Sequence, residues 1–229
     1  MSAWSELVTY LTTSDNWWGR LGIAHRFEEH VRISAFAVAT AAVAAVPPAL
    51  ALGHRRKGGV AAVAVVNIGQ AVPAFALVSI FYILSLVVGL GIGFWPTYAA
   101  LVVLALPPIF TNTYAGVVGV DPSIVQAARG MGMREVEVLR KVELPNALPL
   151  ALTGVRLSAV LVVATATLGA YVGFGCLGSF INEGFRQRDT GALLTGAVLV
   201  AALAIATELA FGVLQRAVTP WLAKKKGTR

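Results

Sequence analysis

Long apolar runs alternate with short charged breaks along most of the chain. No charged residue occurs between Lys57 and Asp121, a block of 63 residues, and residues 33–54, 157–182 and 190–207 are likewise free of charge. A hydrocarbon core of about 30 Å takes about 20 helical residues to cross, and every one of these runs approaches or exceeds that length. The pattern predicts a first span over about 31–52, closed by Gly53-His54-Arg55-Arg56-Lys57-Gly58-Gly59. The 63-residue block is too long for one helix and comfortable for two joined by a turn. Gly89 to Pro96, with three glycines and a proline, supplies that turn, and Trp95 beside it suits the interface. Span two is therefore placed at about 60–87, span three at about 97–118, span four at about 150–174 and span five at about 191–214.

Composition agrees with the pattern. Hydrophobic residues make up 57% of the 229 and charged residues 13%, with a mean hydropathy of +0.76. A globular domain carries about a quarter of its residues charged, so roughly half the usual polar surface is missing. The chain reads as all-α, a polytopic membrane protein of about five transmembrane helices, with membrane lipid as one neighbour. One cysteine, Cys176, excludes an internal disulfide and a cysteine-based zinc cluster. His25, His30 and His54 form no HExxH-like pair, so no metal is expected. Glu6 and Asp15 interrupt the N-terminal stretch, which argues against a cleavable signal there.

The net charge of +7 would suggest nucleic acid in a soluble domain. Here its distribution reports orientation, and no nucleic-acid partner is expected. With five spans, one side receives Arg55, Arg56, Lys57, Arg129, Arg134, Arg140, Lys141, Arg216, Lys224, Lys225, Lys226 and Arg229. The other side receives Arg20, Arg26, Arg186 and Arg188. Twelve basic residues against four place the N-terminus outside and the C-terminus in the cytoplasm of a cell-membrane protein. Residues 1–30, with Trp4, Trp17, Trp18 and Phe27, are read as an extracytoplasmic interfacial segment, 31–218 as the membrane domain and 219–229 as a basic cytoplasmic tail.

The long polar stretch between spans is 121–149. Asp121 is suited to cap a helix with Pro122 in its first position, and Gly130-Met131-Gly132 breaks the chain. A second short helix is expected over about 133–143, ended by the restriction Pro145 places on Leu144. Small residues at the break let another backbone come close, as a docking element requires.

This segment resembles the signature loop of binding-protein-dependent ABC importer permeases, which reads Glu-Ala-Ala, three residues, Gly, nine residues, Ile, one residue, Leu-Pro. Here Gln126-Ala127-Ala128 is followed at that spacing by Gly132 and by Val142-Glu143-Leu144-Pro145, with Gln126 replacing the acid and Val142 the isoleucine. The resemblance implies a type I ABC importer (MetI-like) fold and a coupling helix that docks on ABC ATPase subunits, drawing on Gln126, Ala127, Ala128, Gly130, Gly132, Arg134, Glu135, Leu144 and Pro145. Further stretches are similar to osmoprotectant permeases: His30 to Ser34, Asn67 to Pro73, Asn112 to Val117 and Gly173 to Gly178. That family imports glycine betaine, choline, carnitine or proline betaine. The resemblance also implies a second permease subunit, identical or sister, and a separate extracytoplasmic substrate-binding protein. The sequence holds no Gly-x-x-x-x-Gly-Lys-Ser/Thr loop, so ATP and Mg are expected on the partner ATPase, with no cofactor on this chain and no enzymatic activity of its own. The alternatives are a permease of the amino acid type, or an autonomous channel or secondary transporter; an ion-coupled carrier would be expected to show midplane carboxylates.

Polar residues inside the spans complete the candidates. Asn67 and Gln70 share a helix face ahead of Pro73, and Asn112 and Thr113 sit near the inner end of span three. Each set either lines a translocation path or bonds helices together. Arg156 and Glu208 lie at similar depth in spans four and five, and either pair with each other or Glu208 reaches Arg216. Gly169 and Gly173 have the spacing of close helix packing, with an external hinge as the other reading.

Overall fold

The computed structural model describes residues 2–220, and every regular element among them is helical. Residues 221–229, most of the stretch read as a basic tail, lie outside the described residues. The helices are α1 (Ala3–Thr12), α2 (Ile23–Arg55), α3 (Gly59–Ala71), α4 (Ala74–Val87), α5 (Phe94–Val118), α6 (Pro122–Gly130), α7 (Glu135–Val138), α8 (Leu144–Thr165), α9 (Gly178–Gln187) and α10 (Thr190–Val218). Four stretches, α2, α5, Glu135–Val172 and α10, are long and apolar enough to cross a membrane, and the bent pair α3–α4 passes the same test when its two helices are taken together as one span.

The centre of the bundle is α5, with α2 on one side and α8 on another. Lipid tails are as apolar as leucine, so helices in a bilayer associate through close packing and hydrogen bonds more than through hydrophobic burial. The sequence supplies the means on α2: Ala37, Ala41, Ala45, Ala49 and Gly53 recur every fourth residue and are all buried. This smooth ridge lies against Leu101, Ala105 and Ile109 of α5. At its end a Cβ on Gly53 would sit 2.8 Å from that of Val117, so only glycine permits the approach. On the other side, Gly154 of α8 abuts Pro108 and Asn112, and Ser158 donates a 2.7 Å hydrogen bond to the Ala105 carbonyl.

Three features depart from the sequence reading. The first membrane helix begins at Ile23, eight residues before the expected start, so part of 1–30 belongs to the bundle. Its charges sit at helical spacing and pair along the helix, His25 with Glu29, Arg26 with Glu29 and Arg32 with Glu28, which carries the helix past the apolar run. What remains at the N-terminus is α1, which buries Leu7 and packs against α10. Second, 60–87 is no straight span: α3 ends at Val72 and α4 leaves at 87°. Pro73 has no N–H to continue the ladder and stands at the N-cap of α4. Third, the helix begun at Glu135 does not stop at Leu144 but runs on to Val172. A proline ring clashes with the carbonyl four residues back. The chain avoids this with a widened π turn over Leu139–Glu143, in which the Leu144 N–H reaches Leu139 O, five residues earlier.

At the opposite end from α6, the turn between α4 and α5 places Gly89, Gly91 and Gly93 at φ of +76° to +83°, where a side chain would be strained. Gly93 donates to Val172 O at 2.8 Å, tying this turn to the end of the long helix. Gly169 packs on Thr97 of α5, as small-residue packing requires, whereas Gly173 takes a left-handed φ of +84° and ends the helix.

Candidate functional site

Asp121 caps α6, its carboxylate accepting from the Ser123 amide at 2.8 Å. That bond holds its carboxyl below the usual carboxylate range. On one face of α6, Val125 and Ala128 join Val120 and Val138 in a small core of their own, with Met133 and Val142 against it. The opposite face is open: Ile124, Gln126, Ala127, Arg129, Gly130 and Met131 are exposed, and Val136 beyond the turn is exposed as well. Nothing lies within 4 Å of where a Cβ on Gly130 would be. Gly132 reverses the chain at φ +83°. Arg134 caps the next helix, its amide donating to the Glu137 carboxylate at 3.1 Å, and its side chain is exposed. Leu144 is half-buried and Pro145 exposed. The segment thus presents a continuous apolar and small-residue surface on a braced scaffold.

The brace is a network of four side chains, Arg129, Glu135, His54 and Glu143. Arg129, in the last turn of α6, grips Glu135 with two hydrogen bonds of 2.9 and 3.0 Å, and this bond raises the guanidinium pKa further above its ordinary value. Glu135 also lies 3.0 Å from Nε2 of His54, and His54 Nδ1 donates to Glu143 at 2.5 Å. Glu143 is fully buried in the π turn. Next to His54, Arg56 donates to the Val120 carbonyl at 2.9 Å. Sequence reasoning missed His54 and Glu143 as partners. They lie 89 residues apart, and nothing in the local pattern of either announces the other. The available signals were a histidine closing an apolar helix and an acid set beside the Leu-Pro pair.

The intramembrane candidates divide. Thr111 donates to Asn67 Oδ1 at 3.4 Å, linking α5 to α3, and Gln70 is exposed on the same helix face as Asn67, one turn before the break at Pro73. Asn112 and Thr113 do not join them. Asn112 bonds back to Pro108 O at 2.8 Å and packs on Gly154, while Thr113 is fully buried. Helical rotation of 100° per residue carries them from the α3 side, where Thr111 points, into the packed interior. Arg156 and Glu208 form a bidentate ion pair between α8 and α10, with the Nε to Oε2 distance at 2.8 Å. Two turns further along α10 from Glu208, Gln215 donates to Pro149 O at 2.9 Å and lies 3.0 Å from the Thr153 hydroxyl.

Residues 37–224 match the family model described as "Binding-protein-dependent transport system inner membrane component". A carnitine transport permease protein of Listeria monocytogenes is 38% identical over 192 residues, covering 84% of this chain and 86% of that one. A glycine betaine/carnitine/choline transport system permease protein of Bacillus subtilis (strain 168) is 34% identical over 216 residues, covering 94% and 95%. Among solved structures, the MetNI methionine ABC transporter in inward-facing conformations superimposes with a TM-score of 0.72 at 24% identity, covering 86% of this chain and 96% of the matched one. An amino acid ABC transporter with histidines gives 0.70 at 17% identity, covering 93% and 97%. At these identities the two structures speak for the fold alone.

Proposed function

The chain belongs to the inner-membrane components of binding-protein-dependent transport systems, and we propose that it is the permease subunit of an ATP-driven importer for osmoprotectants of the quaternary-ammonium class. It is a multi-pass membrane subunit and not an enzyme. The observation that carries the substrate class is the near full-length likeness to permeases named for carnitine, choline and glycine betaine.

The partners follow from the family and from the surfaces left open. ABC ATPase subunits dock on the exposed face of α6, where Ile124, Ala127, Gly130 and Met131 offer an apolar, low-relief surface. ATP and Mg are held by those subunits. A second permease subunit, identical or sister, covers the open face of α3 and α4, and the path runs between the two, with Asn67 and Gln70 at its edge. The extracytoplasmic binding protein delivers substrate to the end bearing the Gly89–Gly93 turn and α9. This arrangement puts the N-terminus outside and the α6 end in the cytoplasm, in line with the bias of basic residues. Closure of the ATPases on ATP pulls the two α6 segments together and opens the path outward; hydrolysis returns it inward.

The test is uptake. The chain, a candidate ATPase, a candidate sister permease and a candidate binding protein are reconstituted in vesicles and supplied with radiolabelled glycine betaine, choline and carnitine. ATP-dependent accumulation of at least one, abolished by deleting residues 124–143, is the expected result. Uptake that ignores ATP, or survives the deletion, refutes the reading.

A further inference from the structure

We propose that His54 is the positioning residue through which movement of the 121–143 segment reaches the first membrane-spanning helix, as an imidazolium clamp held between Glu135 and Glu143. The proposal rests on the docking reading above and adds to it how the load is passed on.

Both ring nitrogens face carboxylate oxygens, Nδ1 to Glu143 at 2.5 Å and Nε2 to Glu135 at 3.0 Å. A neutral imidazole has one donor and one acceptor, and an acceptor nitrogen facing an ionised carboxylate would be repelled. Donation to both carboxylates at once takes a ring with a proton on each nitrogen and a positive charge. Its place suits that charge, since the last turn of α2 is the negative end of a helix dipole. Glu143 needs the cation more than Glu135 does. It is 1% exposed, its Oε2 bonds to His54, and its Oε1 has no hydrogen-bond partner among the described residues. Breaking such a pair leaves a buried charge uncompensated.

The clamp joins three elements, of which α2 is far in sequence from the other two. α6 is gripped through Arg129 and Glu135; α2 enters through His54; the start of the long helix leading into α8 enters through Glu143. A displacement of α6 is thus delivered to two spans at once. Two features leave it able to move. Glu143 sits in a π turn, an interruption of the regular ladder of the kind found frequently at functional sites. The outer half of the clamp borders a cleft of about 470 Å³ lined by His54, Arg55, Arg129, Glu135, Val136 and Leu139. The charged groups facing the ring are Glu135 and Glu143 from the polar segment, Arg129 behind Glu135, and Arg55 from its own helix.

The experiment uses the whole complex in vesicles and reads ATP hydrolysed per substrate imported. His54→Phe alone strands Glu143, so it is paired with Glu143→Leu; replacing both members of a buried pair by apolar groups is commonly tolerated by the fold. The double variant is expected to assemble with the ATPase but to spend roughly 3- to 30-fold more ATP per substrate. A wild-type ratio in the double variant overturns the proposal. His54→Arg supplies a second reading that does not depend on the double variant folding, because a guanidinium stays charged and bridges two carboxylates. His54→Arg should therefore keep the wild-type ratio of ATP hydrolysed to substrate imported. A His54→Arg variant that assembles with the ATPase but is as uncoupled as the double variant also overturns it. Failure of the docking reading looks different: the wild-type chain then retains no ATPase and shows no ATP-driven import, and the clamp falls with it.

Discussion

Substituting Gly154 by alanine probes the packing on which the bundle depends. Gly154 lies where α8 crosses α5, and a Cβ built there falls 2.6 Å from Pro108 O, 2.8 Å from Asn112 Cβ and 3.2 Å from Ile109 Cα. Two of the three are backbone atoms, which no rotamer change removes. An ordinary contact requires the helices to separate by ~0.7 Å, and a gap of that size forfeits a quarter to a half of each dispersion contact along the crossing. Overpacking of this kind costs about 2–3 kcal/mol, offset by ~1 kcal/mol from the better helix propensity of alanine. The net loss of about 1–2 kcal/mol corresponds to a fall in Tm of roughly 2–8 °C for a chain of this size. The sequence supplies its own reporter. Cys176 is the single cysteine, fully buried, and burial pushes its thiol up to about 11, so a fluorogenic maleimide at neutral pH labels it only as the fold opens. Gly130→Ala is the control: nothing lies within 4 Å of its would-be Cβ, so its Tm should hold or rise. If Gly154→Ala melts at or above the wild-type temperature, the reasoning from close approach is wrong.

Three further outcomes are expected. Glu208→Gln breaks the bidentate pair with Arg156 and should lower the yield of folded protein while leaving uptake per folded complex intact; abolished uptake in well-folded protein would instead make the pair part of the transport chemistry. Ile124→Asp places a charge on the open face of α6 and should abolish retention of the ATPase during purification with no change in Cys176 labelling on heating; retained ATPase would move the docking surface elsewhere. The Asp121 carboxyl is depressed by its bond to the Ser123 amide, so the cap's contribution is present above the ordinary carboxylate pKa and is lost as pH falls through the depressed value. Hydrogen exchange at Ser123 to Val125 should quicken across that acid window and nowhere above it, and Asp121→Asn should remove the dependence.

The gross architecture was legible along the chain because a bilayer imposes a length rule that sequence satisfies locally. Charge-free runs report helices that must cross, and a glycine-rich stretch such as Gly89 to Gly93 reports a turn wherever positive φ is needed. The Gln126 to Pro145 segment was legible too, because its spacing is covalent. Helix ends were less so. The start of α2 at Ile23 depends on pairs such as Arg32 with Glu28, which hydropathy counts only as polar. Pro145 was read as a stop because proline penalises a regular helix, and the widened turn that absorbs it is a choice made by the surrounding packing.

What the sequence determined by itself was therefore every property fixed by neighbours in the chain: span number, the charge bias between the two sides, the cap at Asp121 and the open small-residue face of α6. Tertiary structure alone decided which polar groups meet. It turned Thr111 toward Asn67 while burying Thr113, two residues later, and it brought His54 to Glu143 across 89 positions. The reason is physical. Apolar spans are interchangeable in their attraction to lipid, so their mutual arrangement is set by ridges such as Ala37 to Gly53 fitting one neighbour, and only that fit says which charge lies opposite which.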